Sequence, residues 1–318
     1  MKRAVALLLI MMFLLRGDQV PVHAREAEAM TFSEEEQNER ITRFLLLGCD
    51  RSTKLTDSIL LVTVNETEKT ASILQIPRDT YAEYTNRDYK KLNGGMQALG
   101  ESGIKQFLSH ALGVPIHYFF VLKLDFFRKL VDAIGGVEVE IPQDMNYSDP
   151  AQGLEIRLSK GRARLGGEEA EQFVRYRSGY VNADLGRLDA QKLFLRAFAK
   201  QCKSLTPTAI LRILGLALTG VQTDIGFPDA FRVLRVLMEC EPDDVPMATL
   251  VGQAVQGNSG AWYYVLNRRG ACEMINSYLL PSQPLKAEAF DPDGVFLREE
   301  NKLFARIYRA NPKDLPLT

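Results

Sequence analysis

Short apolar runs bounded by turn-forming residues predict β-strands, and segments with apolar residues at helical spacing follow and alternate with them. This order predicts an α/β domain, α-β-α-like, with a central mixed β-sheet flanked by helices and with further helices and short strands towards the C-terminus. The predicted strands are Arg43–Gly48, Ser58–Asn65, Thr70–Ile76, Tyr118–Leu124 and Val137–Ile141, with short strands after Pro242. The predicted helices are Gly94–Leu112, Asp125–Ile134 capped by Asp125, Glu168–Val174, a long helix to about Cys202, Thr208–Leu218, Asp229–Met238, one near Arg269–Leu280 and an amphipathic one over Val295–Tyr308. Residues 143–160 are expected to form a loop or hairpin.

The N-terminus has the pattern of an export signal. Two basic residues precede the apolar run Ala4–Leu15, and this run is well short of the roughly 20 residues that a spanning helix needs. Val22-His23-Ala24 offers a cleavage site. We therefore expect residues 1–24 to be a signal peptide or a short signal-anchor, which places the folded part outside the cytoplasmic membrane. The predicted division is a polar linker at 25–40, the main folded domain at 41–203, a C-terminal extension at 204–280 and a charged, proline-containing tail at 281–318.

Arginines are concentrated in one stretch of the chain. Val174-Arg175-Tyr176-Arg177 is followed by Asp184-Leu185-Gly186-Arg187 and then by Gln191. Asp184, Arg187 and Gln191 lie at i, i+3 and i+7, so they share one helix face. Because guanidinium groups match phosphate oxygens, this face is interpreted as an anion clamp. The alternative is a solvated, salt-bridged face.

A second set of charged residues lies where predicted strands begin or end. Ile76-Pro77-Arg78-Asp79-Thr80 closes one strand, and Leu47-Gly48-Cys49-Asp50-Arg51 and Thr56-Asp57-Ser58 flank two others. Ligands of α/β folds bind at such strand ends. The two sets together indicate a site for a phosphate-bearing ligand.

These motifs, with Lys91-Leu92-Asn93 and Gly135-Gly136-Val137, resemble those of the LytR-CpsA-Psr proteins of the bacterial cell envelope, in the same order over roughly residues 42–203. The resemblance implies a phosphotransferase that moves a glycopolymer from a polyprenyl-pyrophosphate carrier to peptidoglycan or another wall acceptor. It also implies Mg²⁺ (or Mn²⁺). Carried over by position, Asp50 and Asp57 look like the metal ligands. The residues that look like pyrophosphate contacts are Arg51, Arg78, Arg175, Arg177, Arg187 and Gln191.

The general base is left open by the sequence. Asp79 or Asp184 could take the proton of an acceptor hydroxyl, or each could instead orient a neighbouring arginine. Arg78 is expected to take part in catalysis by stabilising charge. Leu55 and Ala190 stand where members of the family often have arginine, so two expected contacts are missing or replaced.

The expected partners are a polyprenyl-pyrophosphate-linked glycan, peptidoglycan and the cytoplasmic membrane. A net charge of −1 argues against nucleic acid. Two alternatives to a transferase are a pyrophosphatase of lipid-linked pyrophosphates and a non-catalytic envelope protein that binds the lipid carrier. Several apolar residues could line a lipid slot, although core packing is the favoured interpretation for most of them: Phe119, Phe120, Phe126, Phe127, Leu130, Phe194 and Phe198. The four cysteines lack the close spacing of a zinc site.

Overall fold

The computed structural model describes residues 40–49, 55–84, 90–150, 153–180, 184–205, 221–257, 260–281 and 283–299. The strands are β1 (Ile41–Cys49), β2 (Thr56–Asn65), β3 (Thr70–Ile76), β4 (Tyr118–Lys123), β5 (Val137–Ile141), β6 (Met145–Asp149), β7 (Leu154–Leu158), β8 (Gly161–Leu165), β9 (Val221–Thr223), β10 (Met247–Thr249), β11 (Gly252–Gln256) and β12 (Trp262–Leu266). The helices are α1 (Gly95–Leu112), α2 (Leu124–Ala133), α3 (Gly167–Arg175), α4 (Asp184–Lys203), α5 (Phe227–Glu239) and α6 (Arg268–Tyr278), and a 3-10 turn at Leu92–Gly94 precedes α1. The predicted mixed α/β class is confirmed.

The central sheet places β10, β3, β2, β1 and β4 side by side in that order. The connection between the neighbouring strands β2 and β3 is the four-residue turn 66–69, so these strands are antiparallel. β10 instead runs parallel to β3, with Met247 opposite Ile73, which makes the sheet mixed. Six of the nine residues of β1 are buried and the other three are half-buried, as expected of a strand with both faces covered.

Two compact units divide the chain, and several strands pass from one unit to the other. The first unit contains the described residues up to Thr42, together with Val64–Ala71 and Leu122–Pro246. The second unit contains Arg43–Thr63, Ser72–Val121 and the described residues from Met247 onwards. The predicted boundaries near residues 203 and 280 stay predictions.

The first unit has its own apolar core. Strands β5 and β8 form an antiparallel pair, as do β6 and β7, so residues 143–160 contain the hairpin that was one of the two predicted outcomes. Helices α2, α3 and α4 supply Phe127, Phe173 and Phe194. The centroid of the Phe194 ring lies 5.5 Å from that of Phe127 and 6.3 Å from that of Phe173. Phe198 joins the same cluster. These aromatic side chains therefore pack as core residues, and their role as a lipid slot stays a prediction.

The second unit is tied together by a buried arginine. Arg43 on β1 is 2% exposed. Its guanidinium group donates hydrogen bonds to the carbonyl oxygens of Leu279, Leu280 and Pro115 at 2.5, 2.6 and 3.3 Å. Leu279 and Leu280 follow α6 directly, so the guanidinium satisfies carbonyl groups at the end of that helix. A second bond to the end of α6 comes from Ser72 on β3, whose hydroxyl donates to the carbonyl of Tyr278 at 2.5 Å.

Three predictions of local structure need correction. Asp125 does not cap its helix: α2 begins at Leu124, its N-cap is Lys123, and Asp125 lies in the first turn, where its charge still favours the helix dipole. The helix predicted over Gly94–Leu112 is interrupted at Gly100, whose φ of 73° is open to glycine but rare for other residues. Residues 295–299, at the start of the last predicted helix, are not helical.

Two further predicted segments lie wholly or partly outside the described residues. These are the helix Thr208–Leu218 and the rest of Val295–Tyr308. The same holds for the leader, with its apolar run Ala4–Leu15. Within the described part of the chain, no helix combines the length and the apolar character that a bilayer-spanning segment requires.

Candidate functional site

In the second unit, the β2–β3 hairpin brings two charged residues together. Because these strands are antiparallel, the start of β2 and the end of β3 lie at the same edge of the sheet. Asp57 is the second residue of β2, and Arg78 follows β3 by two residues. Arg78 Nη1 donates a hydrogen bond to Asp57 Oδ1. We name Asp57, Arg78, Asp79 and Lys91 the strand-end cluster.

The backbone around Arg78 and Asp79 is held on both sides. The amide of Asn93 donates to the carbonyl of Arg78 at 2.9 Å, and the amide of Tyr264 donates to the carbonyl of Asp79 at 2.8 Å. Thr80 is fully buried, and its hydroxyl donates to the carbonyl of Pro77 at 2.6 Å. Hydrogen bonds from β12 and from the 3-10 turn therefore fix the loop after β3. A loop held in this way can keep the side chains of Arg78 and Asp79 in a defined position.

The carboxylate of Asp79 lies between two cations. Lys91 Nζ is 2.9 Å from Asp79 Oδ1, whereas Arg78 Nε is 3.9 Å from Asp79 Oδ2. The first contact is a charge-assisted hydrogen bond, and the second is longer than any hydrogen bond. Lys91 belongs to a motif that carried the resemblance, but sequence reasoning gave it no role. It also lies over the ring of Tyr263, 5.9 Å from the centroid.

In the first unit, α4 carries the predicted clamp face. Asp184 accepts two hydrogen bonds from Arg187, at 3.0 Å from Nε to Oδ1 and at 3.1 Å from Nη2 to Oδ2. One turn later, the Gln191 amide donates to the carbonyl of Val174 at 3.1 Å. The predicted spacing on one helix face is confirmed. Only 4% of the Arg187 side chain is exposed, so this part of the face is not solvated. Its ion pair with Asp184 is nevertheless the kind of salt bridge that the alternative predicted, and the role of the face as an anion clamp stays a prediction.

A buried carboxylate that sequence reasoning missed holds two arginines. Glu171 on α3 is 1% exposed. Its Oε1 is 2.8 Å from Arg175 Nη1, and its Oε2 accepts a hydrogen bond from Arg128 Nε. A buried charge is tolerated when it is paired in this way. We name Arg128, Glu171, Arg175, Asp184, Arg187 and Gln191 the helix cluster. Arg177 follows α3 and is exposed.

At the start of α4, the backbone of Gly186 lies close to the side chain of Tyr180. A Cβ at Gly186 would lie 2.3 Å from Cβ of Tyr180, so only glycine fits at this position of the motif. The Tyr180 hydroxyl is buried and has no hydrogen-bond partner in the described structure. Burial first, and then Tyr176 and Asp189, raise the pKa of Tyr180 to about 12.

One of the two predicted ligands for a divalent cation, Asp50, lies outside the described residues. The predicted pyrophosphate contact Arg51 lies there as well. Asp57 is 39% exposed, and Mg²⁺ needs only one or two protein carboxylates because it keeps waters and takes substrate oxygens. No group of three or more metal-binding side chains occurs among the residues that the structure describes. The donor chemistry of Asp57 therefore fits magnesium, with Arg78 already neutralising one of its oxygens.

The two positions that depart from the family pattern differ in environment. Ala190 is 4% exposed and packs in the core of the first unit with Phe194. Leu55 is half-buried and directly precedes β2. Ala190 therefore contributes apolar contacts where the family often places a guanidinium.

The sequence model described as the LytR_cpsA_psr family matches residues 14–278. One relative is polyisoprenyl-teichoic acid–peptidoglycan teichoic acid transferase TagV of Bacillus subtilis, 27% identical over 213 residues, which are 65% of this chain and 54% of TagV. The chain thus spans about half the length of that relative.

Two further similarities cover more of the compared chains. The transferase TagU of Bacillus anthracis, with the same descriptive name, is 26% identical over 227 residues, which are 69% of this chain and 72% of TagU. A solved structure of TagT bound to LIIa-WTA is 25% identical, with a TM-score of 0.62 and coverage of 84% of this chain and 98% of that one.

Proposed function

Since the chain belongs to the LytR-CpsA-Psr family, we propose that it is a phosphotransferase that moves a glycopolymer phosphate from a polyprenyl-pyrophosphate carrier to peptidoglycan or another cell-wall acceptor. The resemblance read from the motifs is confirmed by the family match. The named relatives are teichoic acid transferases that use peptidoglycan. The observation that carries the proposal is the pair of arginine–carboxylate clusters, each of which contains residues of the family's motifs.

The reaction is an in-line displacement at phosphorus. The acceptor hydroxyl oxygen attacks the phosphorus next to the glycan and forms a new P–O bond, while the bond to the bridging oxygen breaks. Polyprenyl phosphate leaves with that oxygen, and the hydroxyl proton passes to a base. Such a transfer is accelerated by positioning and by charges that stabilise the leaving phosphate.

The arginines supply that charge in the proposal. Arg78, Arg175 and Arg187 are each bonded to a carboxylate, so their guanidinium groups are held in place before substrate binds. Arg51, Arg177 and Gln191 complete the proposed pyrophosphate contacts. Asp50 and Asp57 would hold Mg²⁺ (or Mn²⁺), which when bound neutralises phosphate charge.

We assign the base to Asp79 and a positioning role to Asp184. Both oxygens of Asp184 accept hydrogen bonds from Arg187. Asp79 has one oxygen bonded to Lys91, and its other oxygen is 3.9 Å from Arg78 Nε, beyond hydrogen-bond distance. That geometry supports Asp79 as the group that accepts the proton of an acceptor hydroxyl. The predicted leader supports transfer on the outer side of the cytoplasmic membrane.

The test is incubation of the purified chain in detergent with a polyprenyl-pyrophosphate-linked glycan, Mg²⁺ and peptidoglycan oligomers, with product masses as the readout. We expect a phosphodiester-linked adduct that chelation of the metal prevents. Arg175→Ala and Arg187→Ala should each lower the rate about 10²–10³-fold. Arg157→Ala is the control, because this arginine is exposed and pairs with Glu155 on a surface strand.

The outcomes separate the candidate functions. If the donor is hydrolysed to a free glycan phosphate and no adduct forms with any acceptor, the protein is a pyrophosphatase. Donor bound but unchanged would make it a binding protein of the envelope. Wild-type rates in both Arg175→Ala and Arg187→Ala would contradict the assignment of the pyrophosphate contacts.

A further inference from the structure

Strand β12 contacts both partners of the ion pair between Lys91 and Asp79. Its backbone holds Asp79, because the amide of Tyr264 donates to the Asp79 carbonyl at 2.8 Å. The amide of Tyr81 donates in turn to the Tyr264 carbonyl at 2.9 Å. The preceding residue of β12 reaches the other partner, because the Lys91 ammonium lies 5.9 Å from the centroid of the Tyr263 ring. Two consecutive residues of one strand thus contact the two residues of this ion pair.

The contact between Lys91 and Tyr263 is a cation–π interaction. Its distance lies within the roughly 6 Å over which the face of an aromatic ring attracts an ammonium group. Only 21% of the Lys91 side chain is exposed, and partial loss of water strengthens such an attraction. The ammonium group therefore has two attractive partners, the carboxylate of Asp79 at 2.9 Å and this ring.

The Tyr263 ring is itself held by a buried neighbour. Its centroid lies 5.4 Å from that of Tyr81, at an interplanar angle of 67°, and aromatic pairs favour this edge-to-face arrangement. Tyr81 is buried in a small apolar cluster with Val255, Val265 and Leu297, and Tyr263 packs against this cluster. Val255 lies opposite Tyr263 in the β11–β12 pair. The face of the hairpin that carries Tyr263 is therefore the covered one.

The segment after α6 supports this pair of rings. Residues 283–299 lie beyond the stretch that the family model matches. The Tyr81 hydroxyl donates to Glu83 Oε1 at 2.6 Å, and the Glu83 amide donates to the carbonyl of Val295 at 2.8 Å. A continuous series of contacts therefore leads from this segment, through the two rings, to Lys91.

We propose that Tyr263 is a positioning residue that holds the Lys91 ammonium against Asp79. The inference rests on the proposed function, in which Asp79 accepts the proton of the acceptor hydroxyl. A carboxylate that its paired cation keeps in one place meets that hydroxyl without first reorganising. Because Tyr263 acts through Lys91, its effect falls on kcat rather than on the binding of the donor.

The experiment compares Tyr263→Leu, Tyr263→Phe and Trp262→Leu in the full chain. Trp262 is the matched control, because it is the neighbouring aromatic residue of β12, is 54% exposed and lies on the opposite face of the strand. Tyr263→Leu should lower kcat for adduct formation roughly two- to fivefold with KM unchanged, as expected for the loss of one cation–π contact. Tyr263→Phe keeps the ring and should rescue most of this loss, and Trp262→Leu should match wild type.

A second measurement reads the position of Lys91 without turnover. N-hydroxysuccinimidyl acetate acetylates accessible lysine amines, and mass spectrometry of the peptides gives the rate at each lysine. In Tyr263→Leu the Lys91 amine should react about two- to fivefold faster than in wild type, because it has lost the attraction of the ring. Lys69, in an exposed pair with Glu239, should react at an unchanged rate. If Tyr263→Leu does not fold, Tyr263→Met replaces it, since methionine fills such a space without a ring.

Three results would overturn the inference. One is an equal rate of Lys91 acetylation in wild type and Tyr263→Leu. Another is faster acetylation of Lys91 with kcat unchanged, which would show that transfer does not depend on the contact. The third is an equal loss of kcat in Tyr263→Leu and Tyr263→Phe, which would assign the effect to the hydroxyl group. If wild type forms no adduct, the proposed function fails, and the acetylation rates still decide whether Tyr263 holds Lys91.

Discussion

The strand-end cluster and the helix cluster both pair arginine side chains with carboxylates, but they differ in how exposed these charged groups are to solvent. In the helix cluster the central charges are buried, with Glu171 and Arg187 almost without exposure. In the strand-end cluster Asp57 and Asp79 remain partly exposed. Buried pairs hold guanidinium groups in fixed positions, whereas exposed carboxylates stay accessible to a cation or to an acceptor hydroxyl.

The largest effect is expected from Asp79→Asn, which removes the proposed base. We expect kcat to fall about 10²–10⁴-fold with little change in KM. Asp184→Asn should instead raise KM, because Arg187 loses the carboxylate that positions it. Initial rates over a range of donor concentrations measure both. If Asp184→Asn lowers kcat and Asp79→Asn raises KM instead, the roles are reversed.

The second prediction compares the stability contributions of the two clusters. Glu171→Ala leaves Arg128 and Arg175 without their shared counter-charge, and this should lower the free energy of unfolding by about 3–5 kcal/mol. Asp57→Ala removes a partly exposed partner of Arg78 and should cost about 1 kcal/mol or less. Urea unfolding measures both values. Glu155→Ala, in a surface pair, is the control, and equal losses in the two clusters would contradict the contrast.

The difference between the clusters also explains what the sequence could predict. Asp184, Arg187 and Gln191 were placed correctly on one face, because the helical period alone determines that face. Glu171 lies four residues before Arg175 on α3, so the same rule could have revealed it. Arg128 is 43 residues from Glu171, and no local rule connects residues at that separation.

Tertiary structure decides the remaining pairs and some local details. Asp57 and Arg78 could be paired only once β2 and β3 were recognised as a hairpin, and Lys91 reaches Asp79 through the 3-10 turn. The cap at Asp125 was predicted from residue preference, but β4 runs directly into α2 and places the cap at Lys123. The interruption of α1 at Gly100 could have been predicted from the sequence, since glycine is unfavourable in the interior of a helix.

A third prediction concerns Lys91, the residue that holds Asp79. Lys91→Met should lower kcat about tenfold, since Asp79 loses the ammonium group that is hydrogen-bonded to its Oδ1. Combined with Asp79→Asn, it should cause little further loss, because the two residues act as one unit. Lys69→Met, in an exposed pair with Glu239, should leave the rate unchanged. Additive losses in the double variant would show that Lys91 acts on substrate independently of Asp79.

The smallest effect is expected from Tyr180→Phe beside the helix cluster. Its buried hydroxyl lacks a partner among the described residues, so removing it should change the free energy of unfolding at pH 7 by less than about 0.5 kcal/mol. Because the folded-state pKa is raised to about 12, above the ordinary value near 10, the unfolded state loses this proton first as the pH rises. Wild type should therefore lose stability between about pH 10 and pH 12 relative to Tyr180→Phe. Urea unfolding at pH 7 and pH 10.5 tests this, and a large loss at pH 7 would show that the hydroxyl has a bonding partner.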